Sequence, residues 1–147
     1  MLFIDQHLLR KLNRVNDTTY VFDFGRNIAG ITSLKVRGES GTIIRLKHGE
    51  RIYPNGLVDV SNIDVYCQPV VLSDPFQTDI ITLRGGEEEK FVTKFNYKGF
   101  RYVEVTSNNP VELEKESLTA YFIHSDVPQV GFIHSSDSLI NRLWRAT

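Results

Sequence analysis

The sequence predicts an all-β protein, an antiparallel β-sandwich carrying one short helical stretch at its C-terminus. Two observations predict it. Apolar residues recur with period two through most of the chain, and turn signals rich in glycine, proline and asparagine interrupt them at short spacing. A third supports them: no strand–helix–strand rhythm appears, which argues against a parallel sheet.

The alternation is clearest in Thr42-Ile43-Ile44-Arg45-Leu46-Lys47-His48. Ile44, Leu46 and His48 share one face there, and Arg45 and Lys47 take the other. Residues 31–37 read the same way, with Leu34 and Val36 inward. Residues 89–97 put Phe91, Thr93, Phe95 and Tyr97 on one face, which predicts a strand reaching Tyr97. Residues 100–106 and 118–123 are apolar on both faces, as strands covered from both sides are. Turns are expected at Gly38-Glu39-Ser40-Gly41, Pro54-Asn55-Gly56, Gly85-Gly86, Asn108-Asn109-Pro110 and Asp126-Val127-Pro128. Residues 53–77 form the longest irregular stretch. It reads as a connection crossing between sheets, with a functional loop as the other reading.

Residues 1–17 read as an incoming strand or linker, 18–134 as the sandwich and 135–147 as the start of a helix. Ser135-Ser136-Asp137 supplies helix caps, and Leu139, Ile140, Leu143 and Trp144 follow at helical spacing. A helix this short is marginal alone. Its apolar stripe is expected to cover a part of a longer polypeptide, the alternative being that it folds back on the sandwich. Asn16-Asp17-Thr18 matches a glycosylation sequon, a pattern too short to carry weight.

A chain of 147 residues suits one domain. Its net charge of −1, from 17 basic and 18 acidic residues without a basic stripe, gives no electrostatic ground for a nucleic-acid or acidic-membrane partner. No apolar run approaches the ~18 residues of a membrane span. The start, Met1-Leu2-Phe3-Ile4-Asp5, lacks the basic region of a signal peptide, and the compartment stays open. The single cysteine, Cys67, can form no internal disulfide and no zinc cluster, and reads as a half-buried thiol rather than a nucleophile.

No catalytic constellation stands out, and no cofactor is expected. Glu87-Glu88-Glu89 reads as a solvated hairpin. His48 and Glu50 lie two apart on one strand face; they make half a metal site or, on the plainer reading, a buried histidine bonded to a glutamate. His124-Ser125-Asp126 collects triad residue types, but neighbours on a strand point opposite ways. The main binding signal is aromatic. Tyr97, Phe100 and Tyr102 surround Gly99 beside Arg101, and the rings either stack on a sugar or fill the core.

Several runs together resemble a known family. Tyr20-Val21-Phe22-Asp23-Phe24-Gly25-Arg26-Asn27-Ile28-Ala29-Gly30 resembles a signature of bacterial α-L-rhamnosidases, glycoside hydrolase family 78. His48-Gly49-Glu50 and Phe95-Asn96-Tyr97-Lys98-Gly99-Phe100-Arg101-Tyr102-Val103-Glu104-Val105 resemble two further motifs of it. His124-Ser125-Asp126-Val127-Pro128, Gly131-Phe132 and Ser136-Asp137 resemble the segment leading onward. Arg26 replaces a frequent glutamine, Ile81 a common aromatic, and residues 53–77 are longer than usual. The resemblance implies a concanavalin-like sandwich ahead of an (α/α)6 barrel that carries the catalytic carboxylates. No residue here matches them, so none is assigned a catalytic role. On that reading Asp23, Gly25, Asn27, His48, Glu50, His124 and Asp126 fix turns, strand ends or an interdomain contact. Leu139, Ile140, Leu143 and Trp144 dock on the barrel of the same parent chain. Two other readings stay open: an independent carbohydrate-binding module using Tyr97, Phe100, Arg101 and Tyr102, and a protein-interaction sandwich using the C-terminal apolar face.

Overall fold

The structure, a computed structural model, describes residues 2–7, 9–66, 76–128 and 130–146. Cys67 and most of the second half of the 53–77 stretch lie outside the described residues. Chain order runs β1 (Leu2–His7), β2 (Lys11–Asn16), β3 (Thr19–Val36), β4 (Ile43–Gly49), β5 (Arg51–Ile52), β6 (Val58–Asp59) and one helical turn, α1 (Ser61–Asp64). It continues with β7 (Thr78–Thr82), β8 (Glu89–Val92), β9 (Lys98–Ser107), β10 (Leu118–Ser125) and α2 (Ser138–Ala146). The strands pair antiparallel throughout.

β3 belongs to both layers of the sandwich. Its first half, from Thr19 to Asp23, lies between β2 and β9, and β4 and β7 extend that layer. Its second half lies between β10 and β8, with β1 beyond β10. The register to β9 shifts where the strand changes layers: Asp23 faces Tyr102, yet Ile28 faces Phe100. β3 thus carries extra residues, and such bulges let a strand turn a corner. The shift is odd in number, and it reconciles the two faces. On β3 the side chains of the central core stay on even positions, Tyr20, Phe22, Phe24 and Ile28, while on β9 they switch parity between Phe100 and Val103.

The core lies between the layers. Tyr20, Phe22 and Phe24 of β3 pack with Ile44, Leu46, Phe100, Val103 and Val105, and with Leu34, Val36, Leu118 and Ala120 of the other half. The inward positions predicted for Ile44, Leu46, His48, Leu34 and Val36 are all buried. Val111 and Leu113, between β9 and β10, close the open end, where the Tyr20 hydroxyl donates to the Val111 carbonyl at 2.8 Å.

One strand departs from the alternation. β8 ends at Val92, not Tyr97, because β9 pairs with β3 at Gly30 and claims the edge that β8 would need. Residues 93–97 therefore leave the ladder, apart from the Thr93 amide, which still donates to the Thr32 carbonyl at 3.3 Å. The 53–77 stretch also holds more structure than a crossing loop. β5 and β6 form a small hairpin, closed by Arg51 against Asp59, and the Val58 amide donates to the buried Glu104 carboxylate at 2.7 Å. Ser61 donates twice to Asp59, and with Arg51 this holds the Asp59 pKa far below the usual carboxylate value.

At Gly30 the backbones of β3 and β10 approach closely. A Cβ placed there would sit 2.0 Å from the Tyr121 carbonyl oxygen, which is backbone and cannot step aside. Gly30→Ala is expected to lower stability by about 1–3 kcal/mol, the usual cost of overpacking. Urea unfolding of the two proteins checks it, and an unchanged midpoint would show that the strands yield.

Candidate functional site

The motif residues meet around the β3 bulge. Asp23 sits at its start, and its Oδ1 accepts from the Gly25 amide at 2.7 Å. Gly25 has φ +82°, a left-handed turn that a side chain would strain. From β9, Arg101 grips the same carboxylate in a fork, Nε to Oδ1 at 2.8 Å and Nη2 to Oδ2 at 3.0 Å. The Arg101 guanidinium also lies 4.7 Å from the centre of the Tyr102 ring. The arginine and the Gly25 amide lower the Asp23 pKa against the opposing effect of burial. The pair bolts β9 to β3 where the backbone ladder between them is interrupted.

Behind the bulge lies a buried polar group. His48 Nε2 is 3.1 Å from Thr32 Oγ1, and Nδ1 lies near the carbonyls of Leu46 and Gln77 at 3.1 and 3.2 Å. The Phe100 ring packs edge-on against the imidazole, with centres 5.0 Å apart. Burial, and then the Lys98 ammonium, push the His48 pKa down to about 4, against the pull of Asp79. Lys98 is itself buried, with Nζ donating to both Asp79 oxygens at 2.7 and 2.8 Å and to Asn96 Oδ1 at 2.8 Å. The Thr93 hydroxyl donates to Asp79 as well. The Gln77 side-chain amide pairs with both backbone groups of Gly99, in the manner of a neighbouring strand.

Several expectations change here. Phe100 is 0% exposed between Phe24 and His48, so it presents no ring to a sugar. Arg101 and Tyr102 are half-buried and engaged with Asp23 and each other. Tyr97 is exposed, but it stands on the 93–97 loop with Phe95, not in a cluster around Gly99. His48 bonds to Thr32 and backbone carbonyls, not to Glu50, which is exposed. Asn27 and Glu50 hold no turn through a side-chain hydrogen bond among the described residues. His124 lies against Phe122, its Nδ1 3.0 Å from the Ser125 carbonyl, while Asp126 is exposed beyond the strand. α2 forms as the spacing predicts, with Asp137 Oδ1 capping the Leu139 amide at 2.8 Å. Leu139, Ile140, Leu143 and Trp144 remain 37–59% exposed, so the helix does not bury its apolar face on the sandwich.

The sequence reading missed Gln77, Asp79, Lys98 and Glu104. One signal was available for Lys98: it stands two residues before Phe100 on a strand, so it faces the same interior. Chemically the arrangement is a set of satisfied pairs. Asp23, Asp59, Asp79 and Glu104 each carry a cation: Arg101, Arg51, Lys98 and Lys47. Among the described residues, no group of three or more His, Cys, Asp or Glu is placed to hold a metal ion.

Fold and site together define an antiparallel β-sandwich module whose paired charges hold strands and loops in place. The chain belongs to the bacterial alpha-L-rhamnosidase concanavalin-like domain family, which matches residues 13–124. It is 32% identical over 134 residues to an alpha-L-rhamnosidase of Streptomyces avermitilis, covering 91% of this chain and 12% of that protein. The solved structure of that organism's alpha-L-rhamnosidase complexed with L-rhamnose matches with a TM-score of 0.72 and 30% identity, over 97% of this chain and 13% of the other. The alpha-L-rhamnosidase from Dictyoglumus thermophilum matches with a TM-score of 0.73 and 30% identity, over 95% and 15%. The chain thus spans about one eighth of the length of the curated relatives it matches.

Two outcomes follow from the buried groups. Between about pH 6.5 and 4 the unfolded chain protonates His48 and the folded one does not, so stability falls as pH drops, by up to roughly 3 kcal/mol. His48→Gln is expected to flatten that slope in urea titrations, and an unchanged slope would place the linkage elsewhere. The depressed Asp23 pKa acts at lower pH: its contribution is present above the ordinary carboxylate pKa and is lost as pH falls through the folded value. Arg101→Ala, which strips a half-buried carboxylate of its fork, is expected to cost about 1.5–3 kcal/mol. Arg101→Lys should recover only part of that, as equilibrium unfolding would show.

Proposed function

We propose that this domain is the accessory sandwich of an α-L-rhamnosidase, supporting a catalytic region that follows α2 in the same polypeptide and removes terminal α-L-rhamnose from glycosides. The observation that carries this reading is the apolar face of α2. Leu139, Ile140 and Leu143 are exposed on a well-capped helix, and the arm before it exposes Val127, Val130, Phe132 and Ile133. Apolar surface gathered in this way marks an interaction site. The small share of each relative that the chain matches supports a large partner region within one polypeptide.

The domain's role is to dock and brace that region. The acids of its interior, Asp23, Asp59, Asp79 and Glu104, are committed to ion pairs, whereas hydrolysis of a glycoside needs two carboxyl groups flanking the scissile bond. The reading as an independent carbohydrate-binding module loses Phe100 to the core.

The 147-residue chain is expected to leave an aryl α-L-rhamnoside uncleaved, and the full-length protein to cleave it. Turnover by the short chain, or none by the full-length protein, would overturn the proposal.

A further inference from the structure

Residues 93–97 form the second notable surface. Forced out of the sheet by the β3 edge, they carry Phe95, 99% exposed, and Tyr97, also exposed. The loop is tied down at both ends. Thr93 bonds to Asp79, and Asn96 accepts from the same buried Lys98 ammonium that Asp79 holds. A buried ion pair costs several kcal/mol of desolvation per ion and survives only when well satisfied. Here it anchors a loop whose two rings point outward, which is the anatomy of a preorganised contact rather than of a loose tip.

Beside the rings runs a cleft of about 490 Å³ whose apolar wall includes Ala29, Ile31 and Ile123. Ile123, His124 and Ser125, the last three residues of β10, also line it. From those residues the chain passes directly into the arm and α2. Whatever follows α2 is therefore tethered within a short arm of the cleft.

We infer that the Phe95–Tyr97 loop and its cleft form a second docking point for the catalytic region of the same polypeptide, with the two rings seated in that region's surface. The inference rests on the reading proposed above. Tethering raises the local concentration of the following region far above that of any free ligand. The aromatic pair with an aliphatic wall is the composition of an interface centre.

Hydroxyl-radical footprinting of the full-length protein tests it, each side chain being compared with its own rate in the urea-unfolded chain. Phe95 and Tyr97 are expected to label several-fold more slowly in the folded protein, and the double variant Phe95→Ser, Tyr97→Ser to lower its thermal midpoint. Labelling of Phe95 at the unfolded rate would overturn the inference. If Leu139 and Leu143 were protected at the same time, docking through α2 would still stand. If they too labelled at the unfolded rate, both readings would fall. Calorimetric heat with L-rhamnose that disappears in the double variant would make the rings a sugar platform, and that also overturns the inference.

Discussion

β3 must serve two layers at once, and an eighteen-residue strand cannot do so while staying straight. The bend falls between Asp23 and Ile28, where the ladder to β9 is broken. A broken ladder in the middle of a sandwich is a weak point, because backbone groups there lose their regular partners. The Asp23–Arg101 fork closes it. One carboxylate satisfies the Gly25 amide and binds the guanidinium of the neighbouring strand, so the turn and the strand contact share a single side chain. The odd register shift at the bend sets which residues of β9 face inward, and hence the placement of Phe100, Val103 and Val105.

The same constraint reaches the surface. β9 and β8 compete for one edge of β3, and where β9 ends its pairing the 93–97 segment has no sheet to join. The Lys98–Asp79 pair then fixes that segment instead of leaving it slack. His48 lies near this pair, which ties its protonation to the network that holds the loop. The buried polar layer is fully satisfied among the described residues, which is what allows charge to sit inside a small core.

Much of the fold was legible in the residues themselves. Period-two alternation placed Ile44, Leu46, His48, Leu34 and Val36 inward, and turn residues marked the reversals around Gly41, Gly56 and Gly85. The capped stripe of Leu139, Ile140 and Leu143 marked α2. Around the motif residues less was legible. The alternation of Phe91, Thr93, Phe95 and Tyr97 looks like one strand because sequence carries no record of which edge another strand occupies. Phe100 and Tyr97 look equivalent beside Gly99, yet Phe100 lies on β9 and fills the core, while Tyr97 precedes the strand on the 93–97 loop and faces solvent.

The sequence by itself determined the local terms: strand period, turn positions, a helix cap, and motifs specific enough to mark the family. Those follow from side-chain spacing and backbone preference, which are properties of neighbours along the chain. The tertiary structure alone decided who pairs with whom. It joined Asp23 to Arg101, Lys98 to Asp79, and His48 to Thr32 rather than Glu50. Burial and partner choice depend on groups brought together from distant parts of the chain, and no local pattern contains them.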